Sequence, residues 1–187
     1  IKIGDPNYGL KDDMKRVEAA RHVIGDKVDL MVDANCALSL EKAIEFSKEL
    51  SNYDVYWFEE PLGIHDYEGH SKLKKESTMH IATGENGYHL EHFKNLTEND
   101  CASIFNVDVA ICAGYDVALE ISELAMNNDI SISPHGCQEL QLPLVAGIEN
   151  GEFLEYYPKE VDPLRSEMFH PILKPDKDGY VTVSDNP

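Results

Sequence analysis

The chain alternates short apolar runs with longer segments in which apolar residues recur every three or four positions. The apolar runs are residues 1–4, 29–35, 55–61, 80–86, 103–109, 130–135 and 153–157. Several of them are nearly continuous, such as Leu-Met-Val at 30–32, which is typical of strands buried on both faces. The pattern therefore predicts seven strands separated by six helices.

The segments between the runs carry helix signals. Leu10, Met14 and Val17 form an apolar stripe, and Gly25 is placed to end that helix. Ser39 is a suitable N-cap for the next helix. Repeated strand–helix units predict an α/β protein with a parallel sheet and right-handed crossovers.

Two parallel folds compete. A doubly wound sheet normally carries a glycine-rich phosphate loop after its first strand, but here Gly4 is followed by Asp5 and Pro6. A barrel instead places functional residues at the carboxyl ends of many strands. The polar residues at the strand ends favour the barrel.

Acidic residues stand where three consecutive predicted strands end. Asp33, Glu59 and Glu85 follow one another at intervals of 26 residues, about one strand–helix unit. We therefore expect the three carboxylates side by side at one end of the sheet. Converging carboxylates either take up protons or hold a cation. A hard divalent ion with oxygen ligands, Mg²⁺, is the best match.

The pattern continues with a possible acid–base pair. Asp108 and His135 end the next two runs, 27 residues apart, so Asp108 is expected to accept a hydrogen bond from one ring nitrogen of His135. Lys2, in the first run, is a candidate second base if a neighbouring cation lowers its pKa. Glu155, in the last run, is placed to donate a hydrogen bond to a developing oxyanion if it is protonated.

Together these residues resemble the enolase superfamily, and specifically its mandelate racemase subgroup. The resemblance covers nearly the whole chain, and its motifs come in the family's order. They are Lys-Ile-Gly at 2–4, Asp-Ala-Asn at 33–35, Glu-Glu-Pro at 59–61, Gly-Glu-Asn at 84–86, Asp108 with Ala-Gly at 113–114, His135 and Glu155. The segment His-Asp-Tyr-Glu-Gly-His at 65–70 is also similar.

The resemblance implies a Mg²⁺ site formed by Asp33, Glu59 and Glu85. It makes Asn35 and Asn86 additional contacts to the substrate or the metal. It also implies a (β/α)7β barrel of the TIM type, of which residues 1–158 would form strands two to eight. Residues 159–187 would be a tail that packs toward an N-terminal capping domain, which this chain lacks together with the first strand.

The resemblance also implies the roles of the bases. Lys2 would be the second lysine of the family's Lys-x-Lys motif and would act on one face of the substrate, with its companion preceding Ile1. His135, assisted by Asp108, would act on the other face. Glu155 would hydrogen-bond the substrate carboxylate as it becomes an enediolate. The partner is therefore a small-molecule carboxylate, and family members are commonly homo-oligomers.

Three functions remain open at this point. The first is an enzyme that dehydrates a sugar acid to a 2-keto-3-deoxy acid, the commonest activity of members with both bases. The second is racemisation or epimerisation of a 2-hydroxy acid by the same groups, whereas cycloisomerisation is disfavoured because that subgroup resembles a lysine-only arrangement. A third possibility, from another class, is a catalytically inactive fragment or a relict binding protein.

The composition excludes some classes of binding partner. The 187 residues include 35 Asp and Glu against 16 Lys and Arg, a formal net charge of -19, which argues against nucleic acid and anionic membrane partners. No apolar run approaches the ~20 residues needed to span a bilayer. The four cysteines form neither a CxxC pair nor a zinc-type spacing, so we expect reduced thiols in a cytoplasmic protein.

Overall fold

Strands and helices alternate along the chain as the hydrophobic pattern predicts. The computed structural model describes residues 1–170 and 172–183. The strands are β1 (Leu30–Asp33), β2 (Val55–Glu59), β3 (His80–Thr83), β4 (Ile104–Phe105) and β5 (Ser131–Ile132). The helices are α1 (Leu10–Ile24), α2 (Leu40–Leu50), α3 (Tyr67–Glu76), α4 (Leu90–Glu98), α5 (Tyr115–Met126), α6 (Gln138–Gly147) and α7 (Arg165–Met168). A 3-10 turn, Ser51–Tyr53, follows α2.

All strand pairs are parallel, in the order β1-β2-β3-β4-β5, so neighbours in sequence are neighbours in the sheet. Asp33 pairs with Glu59, and Glu59 pairs with Ala82. Every strand after β1 is reached through a helix, as parallel pairing requires. The carboxyl ends of the five strands therefore lie at one edge of the sheet.

The prediction of seven strands is wrong at both ends of the chain. In the described residues, the first run is reduced to a single bridge between Lys2 and Asp33, and Gly151 makes a single bridge to Ile132 just before the last run. A strand needs a ladder of hydrogen bonds, and residues 153–157 have none to a neighbouring strand. Ile1 and Ile3 nevertheless form hydrogen bonds with β1, and Asn150 and Glu152 form them with β5, so the order of elements is as predicted.

The two faces of the sheet have different surroundings, and side chains alternate between them along each strand. Val32 and Phe58 belong to a core between the sheet and the helices, and a second such core surrounds Phe105. Trp57 belongs to a third cluster on the opposite face, where Met31 packs against it. Because side chains alternate along a strand, the terminal acids of β1 and β2 share the face of Met31 and Trp57.

The predicted helix boundaries are confirmed where they depend on capping. Gly25 ends α1 with φ +72°, a conformation that favours glycine. The Ser39 side chain accepts a hydrogen bond from the Lys42 amide at the start of α2, at 3.4 Å. Asp66 caps α3 in the same way, through the Gly69 amide.

The C-terminal segment contains one short helix, α7, among the described residues. The predicted boundary after residue 158, and packing of residues 159–187 toward a capping domain, stay predictions. Pro171 and residues 184–187 lie outside the described residues. No helix within the described part of the chain is long and apolar enough to cross a membrane.

Candidate active site

Three acids gather at the carboxyl edge of the sheet. Asp33 and Glu59 are the last residues of β1 and β2, and Glu85 follows β3 after a turn at Gly84, whose φ is +128°. Burial, with the neighbouring charges of Asp33, Glu85 and Glu155, raises the pKa of Glu59 to about 8, although a hydrogen bond from Trp57 opposes this shift. The repulsion expected of converging carboxylates is therefore present.

Lys2 lies beside this group and forms an ion pair with Asp33. Burial lowers the pKa of Lys2. However, the hydrogen bond to Asp33 and the charges of Asp33, Glu85 and Glu59 outweigh burial, and the pKa rises above its ordinary value. The ammonium is the positive charge next to the acids, and its pKa shift is upward because acids surround it.

His135 and Asp108 form the predicted pair, with 3.0 Å between His135 Nδ1 and Asp108 Oδ2. Asp108 Oδ1 accepts hydrogen bonds at 2.8 Å from the Ala110 amide and from Gln141 Nε2. Burial would raise the pKa of Asp108, but these hydrogen bonds, led by the one from His135, lower it. The carboxylate is thus held on three sides.

The second ring nitrogen of His135 faces the acids. Its Nε2 lies 3.6 Å from Glu85 Oε2. The hydrogen bond with Asp108 raises the pKa of His135, burial lowers it, and the charges of Glu85 and Glu155 bring it to about 9. Because Nδ1 is engaged by Asp108, Nε2 is the nitrogen available to a ligand.

Glu155 meets the same site from the C-terminal side. Its Oε2 accepts a hydrogen bond of 2.7 Å from the Gly136 amide, and its Oε1 accepts one of 2.6 Å from the Tyr157 hydroxyl. Both oxygens act as acceptors here, and the predicted donation to an oxyanion stays a prediction. The contact with Gly136 joins Glu155 to the turn that carries His135.

The two asparagines contact one of the acids. Asn35 Nδ2 donates to Glu85 Oε1 at 3.1 Å, and Asn86 Nδ2 reaches the same oxygen at 3.4 Å. Both amides therefore orient Glu85. Their predicted contact with substrate or metal is not tested by these distances.

A cavity of about 460 Å³ connects most of these groups. Its polar lining includes Lys2, Asp33, Glu59, His135 and Glu155. Its apolar wall is formed by Met31, Trp57, Phe153 and neighbouring residues. A second cavity, of about 520 Å³, adjoins Glu85 and both asparagines. The predicted site residues are thus brought together, with Asp108 behind His135.

The family model described as enolase C-terminal domain-like matches residues 1–187. The chain belongs to this family. A 3,6-anhydro-alpha-L-galactonate cycloisomerase from Streptomyces coelicolor is 31% identical over 187 residues, all of this chain and 50% of the relative. An L-talarate/galactarate dehydratase from Salmonella typhimurium is 30% identical, over 99% of this chain and 44% of the relative.

Solved enolase-type structures agree with the fold. An L-talarate dehydratase from a Polaromonas species, complexed with Mg and L-glucarate, superposes with a TM-score of 0.88 at 29% identity. The match covers 98% of this chain and 49% of that protein. The five-stranded parallel sheet therefore corresponds to part of the TIM-type barrel of this family, and the chain spans about half the length of the curated relatives it matches.

Sequence reasoning missed three residues that contact the residues of the candidate site. Glu60 is fully buried, although it looks like one more acid beside Glu59. Gln141 is also fully buried, in α6, and supports Asp108. Trp57 packs in the third cluster, and its indole also donates to Glu59 Oε2 at 3.0 Å. No local pattern distinguishes these residues from ordinary helix or strand positions.

As the side chains stand in the described residues, no three His, Cys, Asp or Glu groups are arranged around a common point as a metal site. The oxygens of the acids are turned toward other partners: Lys2 contacts Asp33, and Trp57 contacts Glu59. Glu85 Oε2 is buried without a hydrogen bond, and the group facing it is His135 Nε2, an ion-pair partner at 3.6 Å. A buried carboxylate oxygen without a hydrogen bond is costly, so this atom would be stabilised by a bound cation or a closer donor.

Proposed function

We propose that the chain forms the barrel part of a Mg²⁺-dependent enzyme that dehydrates a sugar acid to a 2-keto-3-deoxy acid. One observation carries this proposal. Lys2 lies beside β1 and His135 follows β5, the two outermost strands of the sheet, yet both side chains line one cavity. Two bases that face a single site can remove a proton on one side and protonate a leaving group on the other. The dehydratase relative and the structure complexed with L-glucarate support the substrate class.

The residues present fit Mg²⁺ in chemical type. Asp33, Glu59 and Glu85 would hold it, since hard divalent cations prefer carboxylate oxygens. Glu85 Oε2 is buried without a hydrogen bond, and burial together with the charges of Asp33, Glu85 and Glu155 raises the pKa of Glu59, so a cation would stabilise both carboxylates. When bound, Mg²⁺ supplies positive charge that stabilises a doubly negative carboxylate-derived species. It would also lower the pKa of Lys2 toward the range of a base.

The side chains then carry the proton transfers. One base takes the proton from the carbon next to the substrate carboxylate, and the electron pair left behind forms an enediolate. The hydroxyl on the adjacent carbon leaves as water, with a proton from the acid form of the second base. The resulting enol tautomerises to the 2-keto-3-deoxy acid. Lys2 and His135 are the two groups in question, and Asp108 keeps Nε2 of His135 turned toward the site.

Two other reactions are alternatives for the same site. Racemisation or epimerisation of a 2-hydroxy acid needs a base on each face and no leaving group. Cycloisomerisation is supported by the Streptomyces coelicolor relative, at 31% identity. Variants with one base replaced, Lys2→Ala and His135→Asn, separate the reactions. If each variant no longer turns over one enantiomer but still exchanges the α-proton of the other, racemisation is supported. If only one base exchanges the α-proton and the other is needed for the loss of water, dehydration is supported.

The test uses the full-length gene product with Mg²⁺ against a library of mono- and diacid sugars, with detection of 2-keto-3-deoxy products. Turnover of a sugar acid would support dehydration and name the substrate. No product across the library, in a protein that binds Mg²⁺, would contradict it. Glu59→Gln addresses the relict alternative, because the enzyme should lose activity by orders of magnitude whereas a relict binding protein should be unaffected.

A further inference from the structure

Glu60 is the most densely hydrogen-bonded acid among the described residues that lies outside the proposed catalytic groups. It follows Glu59 directly and is 0% exposed. Its Oε1 accepts from the Thr83 hydroxyl at 2.5 Å and the Gly84 amide at 2.8 Å. Its Oε2 accepts from the Cys36 thiol at 2.8 Å and from Asn86 Nδ2 at 3.4 Å.

These donors come from the two loops that carry the other acids. Cys36 lies three positions after Asp33, and Gly84 and Asn86 flank Glu85. The backbone of Glu60 repeats the connection, since its carbonyl accepts from the Cys36 amide at 2.7 Å. A single buried carboxylate therefore links the ends of β1, β2 and β3.

The local backbone depends on this link. Asn35, Cys36 and Glu60 have φ values of +45°, +61° and +40°, in the left-handed region that residues with side chains rarely adopt. Such conformations persist only where surrounding contacts fix them. The turn at Glu60 also directs its side chain between the loops, while Glu59 faces the cavity.

We propose that Glu60 is a positioning residue that fixes the three acids Asp33, Glu59 and Glu85 relative to one another and so sets the affinity of the site for a divalent cation. This inference rests on the proposed function, because it takes those acids as the cation ligands. Glu60 itself touches neither cation nor substrate. A purely structural role would change stability without changing cation affinity.

The substitutions remove different numbers of the hydrogen bonds that Glu60 accepts. Glu60→Gln keeps the volume but replaces an acceptor by an amide that faces donors. Glu60→Ala removes every contact, and Cys36→Ala removes one donor whereas Cys36→Ser keeps it. Asn150→Ala is the matched control, because the Asn150 amide makes three hydrogen bonds near the opposite ends of the strands.

The experiment titrates the full-length gene product with Mn²⁺, followed by electron paramagnetic resonance, and measures unfolding of each variant by urea. We expect Glu60→Gln to raise the Mn²⁺ Kd by roughly 10- to 100-fold, the usual effect of removing a partner of a metal ligand. Cys36→Ala should raise it less, Cys36→Ser should stay within about twofold, and Asn150→Ala should lose stability at unchanged Kd. The readout does not require turnover.

Two outcomes would overturn the proposal. If Glu60→Gln and Cys36→Ala destabilise the protein as Asn150→Ala does but leave the Mn²⁺ Kd within about twofold, Glu60 is a structural residue only. If the unaltered protein binds no Mn²⁺, the proposed function fails and this inference fails with it. Should Glu60→Ala not fold, the Glu60→Gln and Cys36 variants decide the question.

Discussion

Replacement of Gln141 by leucine tests whether Asp108 must be held in order to hold His135. Gln141 Nε2 donates to Asp108 Oδ1 at 2.8 Å, and Gln141 Oε1 accepts from the Val109 amide at 3.4 Å. Leucine fills a similar volume but leaves the Val109 amide and one side of the carboxylate without a partner. A hydrogen bond to a charged group contributes about 1.5–3 kcal/mol, and the longer one less. We expect Gln141→Leu to lower the free energy of unfolding by roughly 2–4 kcal/mol.

The same change should affect catalysis through His135. Asp108 would keep its hydrogen bonds with the Ala110 amide and His135 but lose the one from Gln141, which helps to fix the orientation of the carboxylate. We expect kcat to fall by roughly 10-fold, at the low end of the effects seen for such supporting residues. Gln141→Glu should be worse than Gln141→Leu, because it places a second carboxylate against Asp108.

Urea denaturation and steady-state kinetics on the full-length gene product measure both effects. Ser122→Ala is the control, since the Ser122 hydroxyl bonds Asn150 at 2.9 Å near the opposite ends of the strands. It should cost about 1 kcal/mol and leave kcat unchanged. The reasoning is refuted if Gln141→Leu destabilises the protein as calculated but kcat stays within about twofold. Asp108 would then be oriented by His135 and Ala110 alone.

Three further predictions follow from the described residues. Gly84→Ala should destabilise the protein by about 2–4 kcal/mol in urea denaturation, because Gly84 has a φ of +128° and an added Cβ would lie 2.8 Å from the Phe93 ring. Gly147→Ala is the control and should be nearly neutral, because an added Cβ there has nothing within 4 Å. Equal effects of the two substitutions would contradict this prediction. Cys101 and Cys112 are buried, and burial raises the pKa of Cys101 to about 11 and also raises that of Cys112. At mildly alkaline pH these two thiols should therefore react with Ellman's reagent at least ~10-fold more slowly in native than in denatured protein, and equal rates would contradict this. Chelation by EDTA should abolish binding of a substrate acid in calorimetry as well as turnover, and undiminished binding would contradict the proposed site.

The sequence predicts which side chains lie close together wherever equal spacing along the chain places residues on neighbouring strands at the same level of the sheet. In a parallel sheet whose neighbours are also consecutive in sequence, each strand–helix unit returns the chain to the same edge. The 26-residue interval between Asp33 and Glu59 thus becomes a direct Cα pairing. The same reasoning brings Asp108 to His135, at 3.0 Å.

The residues that escaped prediction are those whose direction depends on local backbone conformation. Alternation would send Glu60 to the face opposite Glu59, toward the helices. A φ of +40° at Glu60 instead turns its side chain between the loops, and nothing in the two adjacent glutamates signals this. Gln141 is hidden for another reason, because a helical glutamine is ordinarily a solvated residue. The apolar run at 153–157 was assigned as a strand, yet pairing depends on a neighbour that an apolar pattern cannot supply.

Charge decides the order of events at the proposed site. The chain carries a formal charge of -19, and Asp33, Glu59 and Glu155 line the cavity that a substrate anion would enter, while Glu85 lines the second cavity. Two unit charges 4 Å apart near a protein surface interact by on the order of 4 kcal/mol. Burial first, and the charges of Asp33, Glu85 and Glu155 second, raise the pKa of Glu59 to about 8, so the neighbouring acids add to the cost of charge at this position. Lys2 is engaged by Asp33 and His135 by Asp108, so neither side chain offers an unshared charge to a carboxylate. On the proposed function, a divalent cation must therefore bind among the acids before the substrate does, because it converts the repulsive edge of the sheet into an attractive one.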